Sequence, residues 1–210
     1  MCHPAARMAA AAQLRTDAVA RGRALKRVNA IAAVLCGFVP AVLLAVISPP
    51  SAQMWLLGFL AGLVWANFFE YGYHRYLLHL PGTFFALRHL VHHSSVGEPD
   101  EAEHVNLGGS PLWVAALFVI IGLPVVAVDL LLGLRISPGV LIGFAIYFLV
   151  VEEFHWRIHL GEQLPPGLRF ARYYHLAHHD HPDGRFNIFL PLWDKLLGTA
   201  SECSRATPSR

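Results

Sequence analysis

Twenty consecutive residues, Val28 to Ile47, carry no charge, which as a helix is enough to cross a hydrocarbon layer about 30 Å thick. Residues 52–69 give 18 more, residues 111–132 are apolar except for Asp129, and residues 138–151 supply 14. The last run is short by itself. It spans a membrane only with Ile136 and Ser137 added, and Glu152 onward must then lie at the interface or inside protein. The competing arrangement is two long spans with two buried core helices. Pro40 and Pro124 are tolerable in membrane helices. The chain is 55% apolar and 14% charged, with a mean hydropathy of +0.47, where a soluble domain is nearer about 25% charged. This excludes a disordered chain and argues against a water-soluble globule. The expected fold class is all-α: an integral membrane bundle of about four transmembrane helices with a histidine-rich helical cap. A formal charge of +2 gives no reason to expect a nucleic-acid partner. Cys2, Cys36 and Cys203 are odd in number and far apart, so neither a disulfide framework nor a cysteine metal site is expected.

The apolar runs form two hairpins, joined by short turns at residues 48–51 and 133–137. Lys and Arg orient them. Six lie before residue 28, two between residues 70 and 110, and seven after residue 152, whereas the two turns share only Arg135. The positive-inside rule then places both termini in the cytoplasm, in the bacterial inner membrane or the endoplasmic reticulum. One whole hairpin separates the two regions rich in histidine, so both face the same compartment. The domain reading is a basic tail over residues 1–27, a membrane-embedded domain over 28–200 and a C-terminal tail over 201–210. The basic leader reads either as a helix lying near anionic headgroups or as a frayed tail. A cleavable signal peptide is a weaker alternative, because the leader and the apolar run are both long and a second run follows at once.

Of 13 histidines, 12 fall in the windows 74–104 and 155–181. The first window gives His74, His79, then His89, His92 and His93; the second gives His155, His159, then His175, His178 and His179. Each half supplies a pair and then a triplet. Residues three and four apart share a helix face, so each triplet is expected to converge, as is the pair His155 and His159. His74 and His79 are five apart and would lie roughly 140° apart on an α-helix, so that pair requires a helix end or a bulge, for which Pro81-Gly82 is a plausible cause. Single histidines at an interface are usually hydrogen-bonded residues. Ten in two matched halves, brought to one membrane face, point to metal. Ten nitrogens over two ions give five each, leaving octahedral ions one open position apiece. No HExxH motif and no Cys-x2-Cys-His haem attachment occur, and structural zinc prefers a closed set of four ligands. Iron, copper and zinc all remain compatible with imidazole. Glu70 lies four residues before His74, and Glu152 three before His155, so each is a candidate to accept an N–H from a ligand ring. His104, His181 and His3 lie outside the repeat.

The segment Glu70-Tyr71-Gly72-Tyr73-His74-Arg75, with His79 and the triplet at 89–93, resembles the first histidine boxes of the fatty acid hydroxylase/sterol desaturase superfamily. His155, His159 and the triplet at 175–179 resemble its later boxes. Asn187-Ile188-Phe189 and Trp193-Asp194-Lys195-Leu196-Leu197-Gly198-Thr199 resemble its terminal signature, with Ile188-Phe189 as a departure. The similarity covers roughly residues 70–200. It implies a membrane-bound di-metal oxygenase acting on a lipid carbon chain, with two iron ions held by the ten histidines and dioxygen as co-substrate. Zinc is a second candidate in the isolated protein. Asn187 and Asp194, with Glu70 and Glu152, are candidates to support the ligands. No cytochrome b5-like region is evident, so the expected partners are a membrane lipid and a separate ferredoxin- or cytochrome b5-type donor with its reductase. Bacterial carotenoid hydroxylases share the short four-span form and box order but lack the ending at 193–199. Hydroxylation of an acyl lipid is the main expectation. Desaturation and a sterol or carotenoid-like substrate are the enzymatic alternatives, and a non-catalytic metal-binding membrane protein is the alternative of another class. Trp65, Phe68, Phe69, Phe84, Phe85, Trp156, Tyr173 and Tyr174 are candidate lining for the lipid path, or else interface anchors.

Overall fold

A 44-residue helix, α1 (Pro4–Ile47), opens the computed structural model, which describes residues 4–201. At about 1.5 Å per residue it is roughly 66 Å long, twice what a bilayer core needs. Cys2, His3, Cys203 and the C-terminal tail from residue 202 lie outside the described residues. The basic leader thus continues straight from the first span, with no break at residue 27. Ala18 is wholly buried, and the Arg21 guanidinium pairs with Glu103 at 2.6 Å, Arg23 with Glu162 at 3.3 Å, and Lys26 with Glu153. The leader therefore braces the polar end of the molecule.

The helices α2 (Ala52–Gly72), α5 (Pro111–Leu132) and α6 (Ser137–His159) complete a set of four long and apolar enough to cross a membrane. Their apolar side chains face outward in numbers no water-soluble surface would carry, Ile47 being 78% and Leu131 84% exposed. Lipid is the solvent for such a surface. Between helices the small residues do the packing, as expected where lipid removes the hydrophobic drive for helices to associate. A Cβ on Gly58 would sit 2.2 Å from the Ile136 carbonyl oxygen, and one on Gly62 2.4 Å from that of Val140. From the other side, a Cβ on Gly139 would meet the Trp55 oxygen at 2.3 Å and one on Gly143 the Phe59 oxygen at 2.4 Å. The contacts advance together along both helices, so α2 and α6 run parallel and end at the same face. Gly22 and Gly37 of α1 meet α6 near Trp156 and Ala145, in reverse order, so α1 is antiparallel to it.

The turns form where expected. The Ser51 hydroxyl accepts from the Met54 N–H and starts α2, and Gly133, at φ 64°, ends α5. The lone acid of the third run is buried at the next helix start. Asp129 accepts from the backbone N–H groups of Ile136 (3.1 Å) and Ser137 (2.9 Å) and from the Ser137 hydroxyl (2.5 Å). It thereby supplies the negative charge that a helix N-terminus favours. Beyond α2 a π-helical segment, Tyr73–Leu78, leads to α3 (Phe84–Ser94) and the short α4 (Glu101–His104). After α6 come α7 (Phe170–Asp180) and α8 (Leu192–Leu196). These elements form the cap.

Candidate metal centre

The π segment answers the difficulty posed by His74 and His79. With i→i+5 hydrogen bonding the turn widens until residues five apart line up, and the helix then ends at His79. The two ring centroids lie 5.2 Å apart. α3, whose start is capped by the Thr83 hydroxyl, carries His89, His92 and His93, and the last turn of α6 carries His155 and His159. α7 carries His175, His178 and His179, and is tied to α6 by the Arg172 guanidinium, which donates to the carbonyls of Arg157, Ile158 and Glu162.

All ten rings come together, but not by sequence halves. His74, His79, His89, His93 and His178 form one group, and His92, His155, His159, His175 and His179 the other, with one nitrogen from each ring within 4.8 Å of the rest. Each triplet shares one helix face as expected, but its i and i+4 members lie in one group and its middle residue in the other.

The donor sets fit a cation. His89 Nε2 lies 3.0 Å from His74 Nε2, 3.1 Å from His79 Nε2 and 2.9 Å from His93 Nε2. His175 Nε2 is similarly 3.0 Å from His155 Nε2 and His159 Nε2, and 3.2 Å from His179 Nε2. A neutral ring nitrogen has one proton at most, so three such neighbours cannot all be hydrogen bonds. Moreover, His74 Nδ1 donates to the Phe186 carbonyl at 2.5 Å and His178 Nδ1 to the Gly184 carbonyl at 2.6 Å, which leaves each Nε2 a bare lone pair facing the cluster. His92 is buried with neither ring nitrogen hydrogen-bonded. Lone pairs crowded this way repel unless a positive charge lies among them.

Burial pushes the pKa values of His79, His89, His92, His175 and His179 down, to about 4 for His93 and about 3 for His178; for all but His79 and His178, neighbouring imidazoles are the next cause. These seven rings are thus neutral near pH 7, the state metal binding needs.

The carboxylates act at one remove. Glu70 touches no imidazole. Its Oε1 accepts from the Ile188 N–H (2.8 Å), and its Oε2 from the Tyr147 hydroxyl (2.6 Å), Asn187 Nδ2 (2.8 Å) and Asn67 Nδ2 (3.2 Å). Asp194 accepts from the N–H groups of Phe186 (3.0 Å) and Asn187 (2.7 Å) and from the Thr199 hydroxyl (2.6 Å). Together they pin the loop whose carbonyls receive His74 and His178. Glu152 likewise departs from the expected contact with His155; it accepts from the Gly108 N–H at 2.9 Å. A carboxylate that does reach a ring of the two groups is Glu101, whose Oε1 accepts from His159 Nδ1 at 2.9 Å. Sequence spacing gave no sign of it, because 58 residues separate the partners. His104 and His181 belong to neither group.

The fatty acid hydroxylase family profile matches residues 59–199, over half of the chain and all ten histidines. The chain belongs to the fatty acid hydroxylase family. A dihydroceramide fatty acyl 2-hydroxylase, FAH2, of Arabidopsis thaliana is 29% identical over 150 residues, 65% of this chain and 57% of that protein. The hydroxylase domain visible in full-length Scs7p is similar with a TM-score of 0.58 at 26% identity, over 79% of this chain and 64% of that one. The chain therefore spans a little over half the length of the curated relative it matches.

Beside the centre, this hydroxylase-family chain has an almost wholly apolar cavity, lined by Phe69, Leu77, Leu117, Phe144 and Phe148 and reaching His74. Of the aromatic residues expected along a lipid path, Phe69 and Phe85 line it. Trp65 faces a separate small cavity, Trp156 is buried under Lys26, and Tyr173 is 78% exposed. Trp113, Phe144, Tyr147 and Phe148 are the lining aromatics that the histidine boxes did not point to.

Proposed function

We propose that each five-histidine group holds one iron ion and that the protein uses dioxygen to hydroxylate a C–H bond of a lipid acyl chain. The observation that carries the reading is continuity: His74 belongs to the first group and also lines the apolar cavity. A redox-active iron pair, when bound, supplies the dioxygen activation and C–H cleavage for which no side chain is basic enough. The balance converts one C–H bond and one dioxygen, with two electrons and two protons, to one hydroxyl and one water. A separate donor of ferredoxin or cytochrome b5 type, with its reductase, delivers the electrons. The excess of Lys and Arg on the cap side supports placing that encounter in the cytoplasm.

The chain's own residues bind and exclude. Phe69, Phe144 and Phe148 receive the alkyl chain and keep water from it. The carbonyls of Phe186 and Gly184 hold His74 and His178 with Nε2 turned inward, and Glu101 does the same for His159. Glu70, Asn187 and Asp194 hold the loop that carries the two carbonyls.

The test is lipid mass spectrometry of cells expressing wild type or the double variant His92→Ala/His178→Ala, fed candidate lipids under air and under heavy dioxygen. A hydroxylated lipid that carries the heavy oxygen and is missing from the variant supports the reading. A product short of two hydrogens makes the protein a desaturase. Identical lipid profiles, with substrate and donor supplied, refute it.

A further inference from the structure

The apolar cavity does not end at the histidines. It shares Tyr73, Leu78, Phe85, Leu107 and Trp113 with a second, polar cavity, whose lining includes His89, His92 and His155. Phe85 stacks on Trp113, with centroids 5.1 Å apart, and meets the Tyr73 ring edge-on, making a firm aromatic doorway between the two. The apolar side fits an alkyl chain. The polar side must then take whatever head the chain carries.

The charged lining of the polar side is Arg88, Glu103 and His104. Glu103 is neutralised by Arg21 at 2.6 Å, and His104 faces Asp100 at 3.6 Å. Arg88 differs. No carboxylate among the described residues pairs with it, and its guanidinium lies over the Gly109 backbone, where a Cβ would come within 3.1 Å of Cζ. Gly109, at φ 64°, leaves room for the guanidinium there. The Phe84 ring, 5.9 Å away, covers another side. The cavity thus presents one uncompensated, planar, multi-donor cation, of the kind that pairs with carboxylate or phosphate oxygens.

We propose that Arg88 is the head-group determinant of this protein, binding an anionic oxygen of the lipid, carboxylate or phosphate, while the chain passes the aromatic doorway into the apolar cavity. The oxidised carbon then lies close to the head, because His89, His92 and His155 line the polar cavity together with Arg88, and His74 lines the apolar one. This rests on the lipid-hydroxylase reading for its chemistry, but the binding claim stands apart from turnover.

The experiment measures lipid binding to the full chain, metal-loaded and in a neutral detergent, by calorimetry. The ligands are a long-chain free fatty acid, its methyl ester, a phosphatidic acid and a dihydroceramide. Wild type is expected to bind at least one anionic lipid at least about tenfold more tightly than the neutral ones, and Arg88→Gln to lose that preference while binding neutral lipids unchanged. Arg88→Lys should keep part of it. The fatty acid and phosphatidic acid arms tell a carboxylate head from a phosphate head. Leu117→Trp, which fills the apolar cavity, should abolish the same preference; if the preference survives, Arg88 serves the bilayer surface and the subsite is refuted. If neither the fatty acid nor the phosphatidic acid binds wild type more tightly than the neutral lipids, it is refuted too. Metal content equal to wild type shows that each variant is folded. Selective binding without any oxidised product would sink the hydroxylase reading and leave the subsite intact.

Discussion

Glu101 carries a consequence for how the two proposed metal sites differ. In the first group the carbonyls of Phe186 and Gly184 hold His74 and His178 and the charge of Asp183 acts on His79, whereas in the second a carboxylate is hydrogen-bonded directly to His159. A carboxylate behind a ligand imidazole makes the ring a stronger base, and its removal typically weakens a metal site about 10–100-fold. In Glu101→Gln, the ion of the second group should therefore leave at lower chelator concentration than in wild type, with the first ion unaffected, as metal content against chelator would show. Simultaneous loss at wild-type concentrations would remove Glu101 from any part in metal binding. The exchange of middle histidines is open to a sharper test. His89 and His178 share a group although they lie in different halves, so His89→Ala/His178→Ala should keep one ion per chain. His175→Ala/His178→Ala, both on α7, should lose both. The reverse pattern would mean that the groups follow the sequence halves after all.

Among the helices, the parallel pair α2 and α6 decides where the histidines end up. Their closest approach is backbone against backbone, through Gly58, Gly62, Gly139 and Gly143. A side chain at Gly62 or Gly143 meets a carbonyl at 2.4 Å, which no rotamer relieves. Gly143→Val should cost about 3 kcal/mol, at the upper end for overpacked sites, and lower metal occupancy because the cap histidines part as the helices do. A thermal melt in detergent with metal analysis reads both. Gly72→Ala is the control, since a Cβ there meets nothing within 4 Å, and it should leave the melt unchanged or slightly raised. Equal effects of the two substitutions would show that helix propensity, rather than close packing, sets the stability. The spacing Gly-x3-Gly on both helices was not singled out from the sequence, because its meaning depends on which helix faces which.

At the scale of the whole molecule the cap is held by the centre as much as it holds it. Ten rings from the π extension of α2 and from α3, α6 and α7 crowd into two groups, and cations bound among them would reconcile their lone pairs. Metal at about a thousandfold over its dissociation constant stabilises by about 4 kcal/mol per site. Stripping both ions should lower the melting temperature by about 10 °C or more, with the loss recovered on adding ferrous iron or zinc. An unchanged melt after verified removal would mean that the cap is packed without its ions.

The sequence alone determined the helical membrane bundle, the hairpins and the ten histidines, because these are local matters. An uncharged run long enough to span has one cheap conformation in lipid, and alternating hairpins send both windows to one face. It also located Asn187 and Asp194, through the resemblance at the C-terminal end. What the tertiary structure decided was which ring meets which. The split of the triplets, the π turn that aligns His74 with His79, the reach of Glu101 to His159 and the turning of Glu70 toward the loop at 186–188 all depend on pairs far apart in the chain. So does the fate of the leader, whose arginines meet acids of the cap. A periodicity fixes the direction of a side chain about its own helix axis. Its partner is chosen by how the axes pack, and here that rests on close glycine contacts and an aromatic doorway between elements distant in sequence.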